Sequence, residues 1–406
     1  MKFLLEPCNN TLSHVAKCLA LREVLVARGH QVLLAVSAGR ARFLDRMGVG
    51  GYEMLPDIQE ADAGPSPSFA WFRPARVEAC IRAEVELLRR LRPDRVLGVF
   101  RFTGPLSAAL TRVRYDSLIC GCMTPACLDV LGFASDEVGA EQQAAALSFF
   151  RQAGAHRIRP LLLSLGLSAV DDLWQLLTGE RTFLWDFPAF QPLDARPGYQ
   201  HVGPVRWSGW PQAKVEPTLL DSLKLPIAFV AFGTGAIPAT HLQQVVEALR
   251  QVGYSVALAL GGQERPQALE NRHSPSHLAT FDFLPAEAIL DRASLVVCHG
   301  GQGLVFEAMR HALPIVVIPF QPEQAQNGLC VERMGCGFRL LRGKVFDGGL
   351  AGGRAAWSQS TPDLLAEELA ATLFRQVSRN SRSQAAALLG QYRGVETLAC
   401  MLEQAG

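Results

Sequence analysis

Residues 298–308, CHGGQGLVFEA, set a histidine and a glutamate around three glycines. The apolar run before them, SLVV, has the character of a buried strand. Gly300 and Gly301 take away side-chain bulk where a ligand must approach the backbone. A helix is expected from about Gly301, and the free N–H groups of its first turn carry partial positive charge. A lone Glu307 stands eight residues after His299. The stretch suits an anion.

A second histidine lies in a comparable place. KFLLE at the amino end reads as a short strand, and after a polar loop His14 opens the helical stretch HVAKCLALREVLVARG. Val15, Cys18, Leu19, Arg22 and Leu25 share one face of that helix, with only Arg22 breaking the apolar stripe, and Gly29 ends it. His14 and His299 therefore both follow the carboxyl end of a strand. Ligands bind at that edge in open parallel sheets.

Strand and helix patterns alternate along nearly the whole chain. QVLLAV, RVLGVF and SLICGC read as strands, with TFLWDF and QHVGPV as the last strands of the first half. RVEACIRAEVELLRRL, closed by Pro93, and residues 105–111 read as helices; residues 134–180 are helical but less regular. RWSGWPQAKVEPTLLDSLKLP has no sustained period and reads as a linker. The alternation then restarts with IAFVAFG, SVALAL, LATFDF, SLVVCH and PIVVIPF, with helices from about Pro238, Gly301 and Pro322 and a helical tail beyond Pro362. This pattern predicts an α/β protein of two Rossmann-like, doubly wound parallel-sheet domains facing across a cleft. The expected divisions are 1–206, a linker at 207–224, and 225–406, with the last helix crossing back to the first domain.

Composition sets limits on function. The 406 residues suffice for two cores, and 49% apolar with 19% charged residues suits a globular chain. A net charge of +1 carries no nucleic-acid footprint. No apolar run approaches the roughly 20 residues of a membrane-spanning helix, which leaves only peripheral membrane contact open. MKFLLEPCNN meets Glu6 and Pro7 too early for a signal peptide. The ten cysteines show no CxxC pair or zinc spacing. A cytoplasmic protein without a metal is expected; its oligomeric state is left open.

The longer stretch HGGQGLVFEAMRHALPIVVIPFQPEQAQN holds His299, Gly300, Gly301, Gly303, Glu307, Pro314, Pro319, Glu323, Gln324 and Asn327. This resembles the donor signature of the family 1 glycosyltransferases, of the UDP-glucosyltransferase-like and bacterial macrolide type, which have the GT-B fold. HVAKCLALREVLVARGHQV, HVGPV, VAFGTG and FDFLP resemble further segments of that family. The resemblance implies roles for particular residues. His299 and the backbone of Gly301, Gln302 and Gly303 hold the donor's diphosphate, and Thr234 contacts phosphate or lies beside the acceptor. Glu307 binds the ribose. Phe283 stacks on the base and Leu284 pairs with its edge, while Glu323 and Gln324 read the sugar. His14 takes the proton from the acceptor.

The implied activity is a metal-independent, inverting transfer of a hexose from a UDP- or dTDP-sugar to a small, hydrophobic acceptor. Two other readings keep the fold: a noncatalytic nucleotide-sugar-binding partner of another enzyme, and a nucleotide-sugar epimerase. The chain departs from the family's pattern at several positions. Leu304 stands where a Thr or Ser is usual, Phe283 and Ala286 replace Trp and Gln, and Val99 falls where an Asp orients the catalytic His. Glu6, Asp94 and Asp116 are the carboxylates available to take that Asp's place.

Overall fold

The computed structural model describes residues 1–9, 11–58, 72–127, 132, 140–194, 198–209, 217–233, 238–263, 265, 269, 273–340, 361–373 and 377–404. Thr234, expected to contact phosphate, lies outside them. The chain forms two compact units. One comprises Met1–Val130, Ala140–Gly209 and Tyr392–Gly406; the other comprises Leu131–Gly139 and Trp210–Gln391.

The first unit is built on β1 (Lys2–Pro7), β2 (Gln31–Val36), β3 (Tyr52–Met54), β4 (Arg95–Val99), β5 (Arg114–Ile119), β6 (Thr182–Leu184) and β7 (Tyr199–His201). Their order is β3-β2-β1-β4-β5-β6-β7, and every pair is parallel. The second unit has β8 (Ile227–Ala231), β9 (Ser255–Ala259), β10 (Leu278–Phe281), β11 (Ala293–Cys298), β12 (Ile315–Val317) and β13 (Gly337–Arg339). These run parallel in the order β10-β9-β8-β11-β12-β13. The central strands β4 and β8 are buried along their whole length, as expected of a parallel sheet covered on both faces.

Around the first sheet lie α1 (Leu12–Ala27), α2 (Ala38–Arg46), α3 (Pro74–Leu91), α4 (Gly104–Thr111) and α5 (Ala140–Ser164). With the second unit go α6 (Pro217–Ser222), α7 (Ala239–Gln251), α8 (Gln302–Arg310), α9 (Pro322–Arg333), α10 (Pro362–Leu373) and α11 (Arg379–Leu389). Local signals set several ends. α3 starts on Pro74 and stops at Arg92, which is left-handed at φ 48° ahead of Pro93. A helical conformation at Arg92 would clash with the proline ring. The edge strands β3 and β13 were not among the expected strands. Each has three residues, too few for a period of two to show. QHVGPV forms a strand only over Tyr199–His201.

In each sheet the chain leaves the first strand in one direction and later resumes on its other side. The reversal lies between β1 and β4 in the first unit and between β8 and β11 in the second. In open parallel sheets ligands bind at the carboxyl ends of the strands beside such a reversal. Cys8 and Phe100 flank the first reversal, and Gly233 and His299 the second.

The last helix, α12 (Gly394–Glu403), belongs to the first unit. Glu403 accepts from Arg28 and meets His30, both at 2.8 Å. Arg181 donates to the Met401 carbonyl at 2.6 Å and to both oxygens of the buried Asp116 at 3.1 and 2.6 Å. A Cβ on Gly203 or Gly394 would strike Tyr392 or the carbonyl of Pro204, so the close approach of this helix depends on both glycines. Arg181→Met is expected to cost about 1–3 kcal/mol, since Asp116 keeps its 2.7 Å bond from Arg95. Denaturant unfolding measures that loss, and hydrogen exchange should show faster exchange concentrated in α12.

Candidate functional site

Two clusters form, one at each reversal. In the second unit His299 leaves β11 and its ring is held between two glycines. A Cβ on Gly233 would come within 3.0 Å of Cε1, and one on Gly301 within 2.7 Å of Nε2. Gly300 turns with φ 93°, and a Cβ there would meet the Gln324 carbonyl at 2.6 Å. The three glycines around the ring therefore answer to packing. Gly303 is different: a Cβ there would meet nothing within 4 Å, and the residue is exposed.

Gly301 is the N-cap of α8, and Val305 N donates to its carbonyl at 3.2 Å. The N–H groups of Gln302, Gly303 and Leu304 precede that first helical bond, where a helix presents donors to an anion. The side chain of Gln302 serves structure instead. It is buried and donates to Asn327 Oδ1 at 3.1 Å, while Asn327 Nδ2 donates to the Gly300 carbonyl at 2.8 Å. This chain of bonds fixes the glycine turn, so of Gln302 only the backbone N–H faces a phosphate role.

The other expected donor-site residues surround the same strand ends. Glu307 lies on α8 with Arg310 Nε 3.8 Å from its carboxylate. Glu323 and Gln324 occupy the first turn of α9, where Gln324 Oε1 accepts from Phe320 N at 2.8 Å. That bond turns the amide oxygen inward and commits it to the backbone. Phe283 follows β10 and is 42% exposed, unusual for a ring of its size, whereas Leu284 beside it is buried.

In the first unit, His14 lies in the first turn of α1 and is buried. Its Nδ1 is 3.3 Å from the Cys8 carbonyl. A carbonyl only accepts, so Nδ1 carries the proton and Nε2 carries the lone pair. The ring stacks on Phe100, with centroids 5.2 Å apart and planes 18° apart, and tilts against Trp185 at 5.7 Å. Phe100, not Val99, is the residue that reaches His14 after β4. Val99 ends the strand in register with Pro7. Phe100 has φ 56°, a conformation that costs a bulky residue roughly 1–3 kcal/mol and persists only where neighbours enforce it.

Arg101, the next residue, is firmly held. Its buried guanidinium donates to Glu84 Oε1 at 2.8 and 2.6 Å and to the Pro56 carbonyl at 2.7 Å, and pairs with Asp57 at 3.1 Å. Thr103 and Ser107 also donate to Glu84. Asp57 in turn accepts from Asn9 N at 2.6 Å and Nδ2 at 3.0 Å. Asn9 follows Cys8, whose N–H is bonded to the Val99 carbonyl at 2.8 Å. The network thus fixes the aromatic face of His14 and its carbonyl partner together. The side chains of Asn9, Asp57 and Glu84 are scattered along the chain, so no motif announced them.

None of the three candidate carboxylates orients His14. Asp94 accepts from Lys2 N at 2.6 Å, and Asp116 is held by Arg95 and Arg181. Glu6 is buried with neither oxygen hydrogen-bonded. Burial first, then the Glu84 charge, push Glu6 up to about 8, against an opposing effect of Arg101. This shift favours the neutral acid.

Burial lowers His14 to about 3, reinforced by Lys17 and Arg40 and opposed by the Cys8 carbonyl. Burial lowers His299 to about 4; the Ala231 carbonyl opposes this, although no well-formed hydrogen bond reaches Nδ1. Both rings are neutral near pH 7.

Similarity to known proteins bears on what these clusters do. Residues 236–345, which include the glycine turn and α9, match the glycosyltransferase family 28 C-terminal domain. The solved glycotransferase of kitacinnamycin shares the fold, with a TM-score of 0.70 at 19% identity over 99% of this chain and 98% of that one. A PGL/p-HBAD biosynthesis rhamnosyltransferase of Mycobacterium bovis (strain BCG / Pasteur 1173P2) is 25% identical over 408 residues, covering 95% of this chain and 82% of that protein. The chain is a glycosyltransferase with the GT-B fold. Its chemistry is nucleotide-sugar transfer. An NDP-glycosyltransferase, YjiC, of Bacillus licheniformis is 30% identical over 158 residues, covering 37% of this chain and 38% of that protein. The spinosyn rhamnosyltransferase SpnG complexed with thymidine diphosphate matches with a TM-score of 0.66 at 16% identity over the whole of both chains.

Two outcomes follow for this GT-B enzyme. Ring NMR is expected to show His14 and His299 neutral from pH 8 down to 5, with Nδ1 of His14 protonated. Both rings have folded values below the ordinary 6.5, so their contribution to stability is complete above 6.5 and is lost as pH falls toward about 4 and 3. For Glu6 the sign is opposite. Its folded value lies above the ordinary 4.5, so the native protein loses stability through Glu6 as pH rises from 4.5 to about 8. The advantage of Glu6→Gln over the native chain should therefore grow across that window and level off above it, as read by denaturant midpoints.

Proposed function

We propose that the chain moves a hexose from a UDP- or dTDP-sugar to a small, hydrophobic acceptor, inverting the anomeric centre without a metal. The single observation that carries the donor half is the glycine-clasped His299 beside the open first turn of α8. The diphosphate is bound by the N–H groups of Gln302, Gly303 and Leu304 and by His299, with the space over Gly303 admitting its oxygens. Glu307 accepts from the ribose hydroxyls. Phe283, exposed after β10, offers its face to the base, and the Leu284 backbone meets the base edge. Gln324 offers its amide N–H groups to sugar hydroxyls, with Glu323 accepting from others. The absence of a hydroxyl at Leu304 removes one bond to phosphate, worth about 1.5–3 kcal/mol with a charged acceptor.

In transfer, the acceptor oxygen attacks the anomeric carbon in line with the departing diphosphate, and one displacement inverts the centre. Negative charge grows on the bridging oxygen as the bond breaks, where preorganised donors are most effective. His14 Nε2 carries the lone pair that faces the acceptor proton. SpnG, which shares this fold, was solved complexed with thymidine diphosphate, and this makes dTDP-sugars the first donors to test. The enzyme acts in the cytoplasm in this reading. Its ten free cysteines suit a reducing compartment, and no helix among the described residues is long and apolar enough to cross a membrane.

Calorimetry with UDP and dTDP tests the donor site. One nucleotide is expected to bind, with His299→Ala and Glu307→Gln each weakening it about 10–100-fold, the equivalent of one charged hydrogen bond. Failure of both nucleotides to bind would sink the proposal.

A further inference from the structure

Helix α5 is packed on one side and bare on the other. Ala155, Ile158 and Leu162 are fully buried and fix its inner side. A Cβ on Gly154 would strike Leu173 at 2.5 Å, so the helix lies close against the turn Leu173–Leu177. The opposite side carries Phe149, Gln152, His156, Arg159 and Leu163, three or four residues apart and all exposed. Phe149 is 65% exposed and Leu163 57%, and among the described residues they are the large apolar pair left open on one helix. Two residues past Leu163, Leu165 lines an open groove of about 420 Å³ with Ile81, Val85 and Leu110, which extends the apolar area beyond the helix end.

The charge on this face has one sign. No acidic residue follows Glu141 in α5. Arg159 makes no ion pair among the described residues. Arg157 donates to the Phe72 carbonyl at 3.5 Å, which brings the exposed Arg73, one residue on, beside the helix. Arg73 also has no ion pair among the described residues. Arg151 faces away from this role: it pairs with Asp172 at 3.1 Å and lies 3.7 Å over the Trp174 ring.

The layout of the face decides between partners. A stable protein interface covers about 800 Å² on each side, with its apolar anchors clustered at the centre. Here the centre is cationic, and the two apolar anchors lie about 21 Å apart along the helix axis. A bilayer surface suits that order, because separate apolar side chains enter the headgroup boundary while guanidinium groups meet anionic headgroups between them. The whole chain carries a net charge of only +1, so attraction to an anionic surface has to be local. No helix among the described residues is long and apolar enough to cross a membrane, which confines the contact to the surface. We propose that the outer face of α5, with Arg73 beside it, docks the enzyme on an anionic lipid bilayer, Phe149 and Leu163 entering the interface and Arg159 and Arg73 binding headgroups.

The test uses the full chain and vesicles, with no sugar nucleotide present. Neutral phosphatidylcholine vesicles are compared by flotation with vesicles containing a third phosphatidylserine, at low salt and at about 0.5 M salt, where screening shortens to a few ångströms. The chain is expected to float with the anionic vesicles only and to be released by salt. Arg159→Glu and Arg73→Glu should each weaken partitioning about 30-fold, since a cation near such a surface is worth about fivefold and reversal loses it twice. Phe149→Ser combined with Leu163→Ser should weaken it about 10–100-fold. Arg46→Glu is the charge-matched control. Arg46 is exposed on α2; α2 joins β2 to β3 and α5 joins β5 to β6, so right-handed crossovers put the two helices on opposite faces of the sheet. This control should change partitioning less than about threefold.

The inference is overturned if the chain binds neither kind of vesicle, binds both equally, or loses as much binding from Arg46→Glu as from Arg159→Glu. It is also overturned if the chain sediments as a dimer without vesicles and the Phe149→Ser, Leu163→Ser pair makes it a monomer, because the face then covers a second copy. The altered residues are exposed and lie outside the donor and proton-transfer residues, so unfolding midpoints and nucleotide calorimetry should match the native chain. The comparison of the two vesicles is made on the unaltered chain, so it decides the matter even if a variant folds poorly. The docking does not rest on the transferase reading: loss of nucleotide binding leaves it standing, and failure to float leaves the transferase reading standing.

Discussion

Arg101 is the residue on which the first unit's candidate site depends. Its guanidinium is taken out of water and offset by Glu84 and Asp57 together, with a backbone carbonyl as a further acceptor. A buried cation is tolerated only when it is paired. Burial and the Glu84 charge push Glu6 nearby upward, toward its neutral form, which lessens the negative charge set against one guanidinium. The pairing anchors the residue next to the left-handed Phe100, and through Asp57 and Asn9 fixes the carbonyl that orients His14.

The second unit reaches a similar end without charge. His299 is fixed by shape: glycines on two sides leave room for the ring and no more, and the Gln302–Asn327–Gly300 chain locks the turn. Both histidines stand at the point where their sheet reverses direction, and burial keeps both neutral. The difference lies in what surrounds them. His299 adjoins the N–H groups of a helix start, suited to an incoming dianion. His14 adjoins two aromatic rings, one of which also carries the Lys17 ammonium over its face.

The alternation of strands and helices was legible because apolar runs and helical faces repeat within each unit; QVLLAV and Pro322 mark an element and a start that the structure reproduces. The strands β3 and β13 were not, because three residues at a sheet edge carry no period. Of the residues expected at the donor site, His299 to Glu307 were legible together because they lie close in sequence within one strand–turn–helix unit. Gln302 was legible only as a backbone position; its side chain is directed by Asn327, twenty-five residues on, which no local pattern encodes. Lys17 stayed hidden for a simpler reason. A lysine one turn from a histidine on an amphipathic helix reads as surface, and only the placement of Trp185 shows that it is buried.

Residue type and spacing alone determined the α/β class, the glycine turn before α8, and the ring and carboxylate at either end of it, because all of these arise within one or two consecutive elements. Tertiary structure decided what stands beside His14. Val99 and Phe100 are adjacent in sequence, and Phe100, which turns left-handed after β4, is the one stacked on the histidine. Arg101, the next residue, finds its partners on α3 and in the loop after β3, brought together only when the sheet assembles.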